Sequence, residues 1–133
     1  MNNVTNIPSD IVNVGRALLK KGLVAGTWGN ISARISGRPI IAITPSGREY
    51  DTLTADDIVL VDSRTGAVVS GKHIPSTELP LHLAIYQARP QVNAVVHTHS
   101  VFASACAVAR RAIPPLIEDL IQAIGGRVEV ADY

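Results

Sequence analysis

Asn30-Ile31-Ser32-Ala33-Arg34-Ile35-Ser36-Gly37-Arg38-Pro39-Ile40-Ile41-Ala42-Ile43-Thr44 reads as two extended runs around a turn. The first run alternates apolar and polar side chains with the two-residue period of a strand. Ser36, Gly37 and Pro39 supply turn chemistry, and Ile40-Ile41-Ala42-Ile43 is apolar and β-branched enough for a second, buried strand. A hairpin of this kind sets antiparallel pairing as the rule for the sheet. The next two short runs, over 58–62 and 67–70, flank the turn Ser63-Arg64-Thr65-Gly66 and read as another hairpin, with Thr54-Ala55-Asp56-Asp57 a short helical turn before it.

Helices lie on either side of these hairpins. Pro8-Ser9-Asp10 opens one that runs to about Gly22, its apolar positions Ile11, Val14, Leu18 and Leu19 spaced for a single face and Ser9 placed to cap it. Thr77 is placed to cap a second helix over 78–89, with Pro80 tolerated in the first turn, Pro90 stopping it, and Leu79, Leu83 and Tyr86 as the buried stripe. Asn93-Ala94-Val95-Val96-His97-Thr98-His99 reads as a buried strand, followed by a small-residue helix over 100–109. A last helix over 116–124 ends at Gly125-Gly126, and 128–131 begins a further strand. With no repeat, low-complexity stretch or linker, residues 1–133 read as one domain of the α/β class around a mostly antiparallel sheet.

Composition removes several classes of function. The 133 residues are 47% hydrophobic and 17% charged, enough apolar material for a core, and a net charge of +1 without any run of like charges argues against nucleic acid and anionic membrane as partners. No apolar stretch approaches the ~20 residues of a membrane span. A single cysteine, Cys106, and a polar start without signal-peptide character point to a reducing, cytoplasmic setting.

Several segments and residues could carry chemistry. His97 and His99, two apart on an expected strand, would point to one face and could approach one zinc ion; equally, they could hydrogen-bond to neighbours. Glu78 could be a proton acceptor beside a metal, or an ordinary first-turn glutamate favoured by the helix dipole. Gly26-Thr27-Trp28-Gly29-Asn30, Thr44-Pro45-Ser46-Gly47 and Ser76-Thr77 present glycines and hydroxyls suited to an anion such as phosphate, or they are plain turns. His82, one helical turn after Glu78, reads as structural or at most supporting the site from behind; His73 reads as solvated and Cys106 as inert.

Taken in order, Gly26-Thr27-Trp28-Gly29-Asn30-Ile31-Ser32, Ile43-Thr44-Pro45-Ser46-Gly47, Ser76-Thr77-Glu78 and His97-Thr98-His99-Ser100 resemble the successive motifs of the class II aldolase and adducin family. The similarity includes His82-Leu83-Ala84-Ile85-Tyr86 and Gly125-Gly126, and so covers essentially the whole chain. The resemblance implies a three-layer α/β/α fold around a largely antiparallel sheet, and a cyclic homotetramer with active sites between subunits. In the fuculose-phosphate aldolase branch, His97 and His99 would match two of three zinc ligands and Glu78 the acid/base. Thr27, Asn30, Ser46, Gly47, Ser76 and Thr77 would match the pocket for the phosphate of a small sugar-phosphate substrate.

The activity implied is zinc-dependent aldol cleavage of a ketose phosphate to dihydroxyacetone phosphate and an aldehyde. Glu78 favours this over the related ribulose-phosphate epimerases, which carry aspartate there. The alternatives are an epimerase, decarboxylase or dehydratase of the same family, or an adducin-like scaffold without activity. Two departures stand out. No histidine follows His99, so the third zinc ligand is missing and the domain is expected to be incomplete at its C-terminal end. Glu118-Asp119 stands where the aldolases present a tyrosine proton donor before the glycine pair.

Overall fold

The computed structural model describes residues 6–132 and divides into two compact units, Met1–Thr98 and His99–Tyr133. The first contains one five-stranded sheet built from β1 (Asn30–Arg34), β2 (Ile40–Ile43), β3 (Val59–Asp62), β4 (Val68–Ser70) and β5 (Ala94–His97). Its order is β4-β3-β2-β1-β5, and every neighbouring pair is antiparallel. Both expected hairpins form. The β1–β2 register pairs Ser32 with Ile43 and Arg34 with Ile41, and β1 pairs on its other side with β5, Asn30 opposite His97.

Alternation along the central strands decides what each sheet face meets. Ile31 of β1 and Ala42 of β2 join Ile11 and Val12 of the first helix, α1 (Ile7–Lys20), in one apolar cluster. Ile41, Ile43, Val59 and Val61 point the other way and pack with Leu79 and Tyr86 of the second helix, α2 (Leu79–Ala88). One helix on each face gives this unit the expected α/β/α layering. A fully buried isoleucine such as Ile41 is worth about 2–5 kcal/mol against alanine, so these two clusters dominate the stability of the unit.

Local details depart from the sequence reading. The α1 cap is Asn6 and not Ser9: the Asn6 side chain accepts the Ser9 N–H at 3.4 Å, and the helix starts before Pro8, whose fixed φ suits the first turn. Thr77 does not cap α2; Glu78 occupies the cap position and its N–H goes to Ser76 Oγ at 3.3 Å. The buried stripe of α2 is Leu79, His82 and Tyr86, with Leu83 only half-buried. Strand β5 stops at His97 and is a partly exposed edge, because β1 covers one side of it only.

The second unit holds α3 (Val101–Val108) and α4 (Glu118–Ile124). Gly125, at φ +83°, ends α4 as expected, a backbone angle that suits glycine. Residues 128–131 do not make a strand. A single two-way bridge joins Ile113 and Val128, with N···O distances of 2.9 and 3.0 Å. Among the described residues, no helix is long and apolar enough to cross a membrane.

Gly15 shows how tightly α1 is seated. A Cβ there would lie 2.4 Å from Cδ1 of Tyr50, whose ring is only 2% exposed and has no room to swing away. Alanine would gain about 1 kcal/mol of helix propensity but incur an overpacking cost of about 1–3 kcal/mol. Gly15→Ala is therefore expected to lower stability by about 1 kcal/mol, seen as a lower urea midpoint at unchanged slope.

Candidate active site

The expected anion-binding segments meet at one end of the sheet. Thr44 leaves β2 bonded to the start of β1: its Oγ1 accepts the Ile31 N–H at 3.1 Å, and its own N–H goes to Ile31 O at 3.0 Å. The chain then runs beside residues 74–76, with Ser46 N–H donating to Ile74 O at 2.9 Å and Ser76 N–H to Thr44 O at 3.0 Å. Ser46, Gly47 and Thr77 are exposed here and Ser76 is buried. Gly47 adopts φ +66° with nothing near the place of a Cβ, which leaves its backbone open to a close ligand. Thr27 lies exposed in the turn before β1.

Asp57 fastens the outer flanks of these segments. Its Oδ2 accepts from the Thr54 N–H at 2.9 Å and the Thr54 hydroxyl at 2.6 Å, closing the short helical turn Ala55–Asp57. Its Oδ1 faces His73 Nε2 at 2.8 Å, Lys72 Nζ at 3.2 Å and Arg48 at 3.9 Å. The Thr54 hydroxyl first, then His73, hold the buried Asp57 carboxyl well below the usual carboxylate range. His73 is thus an anchored side chain and not the solvated one expected. Two cations over one carboxylate leave a positive excess beside Ser46 and Gly47, which favours an anion there.

Glu78 and His97 come together. Glu78 Oε2 accepts from Asn30 Nδ2 and lies 2.5 Å from His97 Nδ1, so one carboxylate oxygen takes two donors. The main chain under His97 is held by Gly29. A Cβ at this glycine would meet His97 O at 2.6 Å, and its φ of +79° is unsuited to other residues. With Nδ1 of His97 turned to Glu78, Nε2 is the nitrogen suited to a metal, the arrangement of a ligating histidine oriented by a carboxylate. His99 lies past the end of β5 and opens the second unit, so strand alternation does not set its direction. Among the described residues, no three or more His, Cys, Asp or Glu side chains are grouped as a metal site. Imidazole is a donor type zinc takes, so His97 Nε2 fits one position of a zinc site, with Glu78 orienting the ring from its other nitrogen, and further donors are needed to complete it.

Behind Glu78 runs a file of buried polar groups. Asn30 Oδ1 is 2.5 Å from His82 Nε2, His82 Nδ1 is 2.6 Å from Ser32 Oγ, and Ser32 Oγ is 2.8 Å from Tyr86 OH. Asn30 is therefore engaged at both ends of its carboxamide. Burial lowers the His82 pKa to about 4, with the His97 charge in the same direction, so His82 is neutral at pH 7. Burial also raises the Tyr86 phenol, against the pull of Ser32 and Arg34. Arg34 stacks over the Tyr86 ring at 4.4 Å and donates to Tyr86 O and Val92 O, both at 2.9 Å, tying α2 to the sheet. On the other sheet face the Tyr50 phenol is pushed up to about 12 by burial and the Glu78 charge; its hydroxyl has no hydrogen-bond partner among the described residues.

The family model for the class II aldolase and adducin N-terminal domain matches residues 9–133. The chain belongs to this family. L-ribulose-5-phosphate 4-epimerase UlaF of Salmonella paratyphi B is 44% identical over 110 residues, covering 83% of this chain and 48% of that protein; the Salmonella typhi enzyme matches equally. The chain thus spans about half the length of the curated relatives it matches. Among solved structures, an L-fuculose 1-phosphate aldolase superposes with a TM-score of 0.89 at 33% identity, over 97% of this chain and 60% of that one. The L-fuculose-1-phosphate aldolase of Thermus thermophilus gives 0.78 at 28% identity, over 96% and 63%.

These relatives correct the aldolase activity expected from the motifs. The curated relatives at 44% identity are epimerases, ahead of the aldolase structure at 33%. The physical reason is that a carboxylate beside an imidazole, next to loops suited to an anion, serves any reaction in which a sugar phosphate is held and a proton moved. Glu78 by itself does not select between them.

Because the folded His82 pKa lies below the ordinary 6.5, the unfolded chain binds the extra proton between pH 6.5 and 4. The stabilisation from neutral His82 is complete above pH 6.5 and is lost as pH falls towards 4. The urea midpoint of the protein should therefore drop over this interval more steeply than that of His82→Gln, which has no such proton to gain.

Proposed function

We propose that the protein is a metal-dependent sugar-phosphate epimerase that inverts C4 of a 2-ketopentose 5-phosphate. The observation that carries this is the 44% identity to the L-ribulose-5-phosphate 4-epimerases over 83% of the chain. The contact of Glu78 with His97 beside the hydroxyl- and glycine-bearing loops supports it.

The chemistry limits how C4 can be inverted. The carbonyl is at C2, so the acidic C–H bonds are at C1 and C3, and the hydrogen on C4 is not activated. Breaking the C3–C4 bond is the available route: the C4 hydroxyl loses its proton, C4 becomes an aldehyde, and the bonding pair moves to the C2 carbonyl. Turning the aldehyde over before the bond re-forms returns the proton and gives the C4 epimer, with no oxidant or reductant consumed.

Glu78 is the group we assign to the proton, its carboxylate oriented by Asn30 and His97. The phosphate is assigned to Ser46, Gly47, Ser76 and Thr77, with Thr27 at the border and the Arg48–Lys72 excess charge behind; Asn30, expected there as well, is instead engaged with Glu78 and His82. Zinc is the assigned metal: His97 would hold it through Nε2, and further donors would complete four-coordination. When bound it supplies Lewis acidity at the C2 carbonyl oxygen. A homotetramer with sites between subunits belongs to the same reading, and the exposed Val101, Phe102, Val108 and Leu116 support self-association.

The test is proton NMR of a ketopentose 5-phosphate incubated with the purified protein. Two C4 epimers should interconvert, chelation should stop the exchange, and added zinc should restore it. Glu78→Gln should slow it by about 100-fold or more. Steady release of free aldehyde without formation of the second epimer would overturn the assignment.

A further inference from the structure

The directions of the hydrogen bonds behind Glu78 follow from the donors and acceptors available. The Asn30 Nδ2 group donates to the Glu78 carboxylate, so Asn30 Oδ1 faces His82 as an acceptor and His82 Nε2 must carry a hydrogen. His82 is fully buried, its two ring nitrogens face a carboxamide and a hydroxyl, and a neutral ring with Nε2–H has a bare Nδ1. Ser32 must then donate to Nδ1, and its oxygen is left to accept from the Tyr86 hydroxyl. Every bond in the file points the same way, from Tyr86 to Glu78. A reversed carboxamide would set the Asn30 oxygen against the Glu78 oxygens and leave His82 facing an N–H. Leaving one buried polar group without a partner costs about 1–3 kcal/mol, which locks the sequence of directions.

We propose that His82, as its Nε2–H tautomer, is a positioning residue: it fixes the Asn30 carboxamide so that the amide N–H aims the Glu78 carboxylate at His97. The inference rests on the reading of Glu78 as the proton-handling group. His82 itself stays away from substrate and exchanges no proton during turnover. Ser32 and Tyr86 set its tautomer, which gives a purpose to a polar strand face in the middle of an apolar layer.

The experiment pairs a readout that needs no turnover with one that does. In the full chain labelled with 15N, the His82 ring should show a protonated Nε2 and a bare Nδ1 at neutral pH. The Asn30 side-chain amide should exchange slowly with solvent. His82→Ala should lose that protection while the main-chain amides of β1 keep theirs, and kcat for C4 inversion should fall about 10–100-fold with KM changed less than about 2-fold. His82→Gln, whose amide donates at one atom and accepts at its neighbour, should regain both Asn30 protection and most of kcat.

A protonated Nδ1 in the wild-type chain would overturn the proposal. So would Asn30 protection or kcat unchanged in His82→Ala, or a loss of activity matching only the unfolded fraction. If the wild-type chain inverts no ketopentose phosphate, the epimerase reading fails, and the tautomer and Asn30 exchange still decide whether the hydrogen-bond file is as described.

Discussion

The structure depends on strand β1 having two chemically different faces. Ile31 and Ala33 look towards α1 and belong to an apolar cluster, whereas Asn30 and Ser32 are buried towards α2 and cannot reach bulk water. Buried polar groups are tolerated only when their partners are supplied, and α2 supplies them at one-turn spacing through His82 and Tyr86. That requirement fixes the register of α2 on the sheet. It also delivers Glu78, which precedes the helix directly, to the end of β1 where His97 of β5 waits opposite Asn30.

A second constraint acts on the loops. Asp57 holds a capping box on one oxygen and meets the cations Arg48 and Lys72 and the His73 ring with the other, so a single buried carboxylate positions both the 46–48 and the 72–73 segments. The exposed ends of those ion pairs contribute little, about 0–1 kcal/mol each. The Thr54 contacts and the 2.8 Å contact to His73 are the shorter and more buried part of the arrangement. Apolar packing, buried hydrogen bonding and this one carboxylate thus each hold a different part of the site.

Much of this was legible in the sequence. The hairpins announced themselves because alternation, glycine turns and β-branched residues coincide in 30–44 and 58–70, and the antiparallel sheet followed. Family motifs gave Glu78 and His97, which do meet. The reading of His82 as structural, or supporting the site from behind, agrees with its buried place, but its partners were not legible: a histidine at a helix position gives no sign in sequence that it lies face to face with Asn30 and Ser32, residues about fifty positions earlier. The available clue was that Asn30 and Ser32 share the polar face of an alternating strand in an otherwise apolar sheet layer, and that His82 and Tyr86 are four apart on one helix face. Asp57 was similarly hidden, although Thr54-Ala55-Asp56-Asp57 has capping-box spacing. The strand expected through His99 failed because periodicity marks side-chain direction but not the residue at which pairing stops.

Glu78 occupies the cap position of α2, yet its side chain makes no capping bond; the hydroxyl of Ser76 takes the local N–H instead. The helix therefore does not depend on the carboxylate. Selection can shorten, lengthen or neutralise this side chain without unravelling the scaffold, because the apolar clusters and the Ser76 hydroxyl stay in place. A carboxylate that takes no part in capping its helix is one that evolution can retune, and that freedom gives a structural basis for relatives with aldolase and epimerase activities sharing one framework.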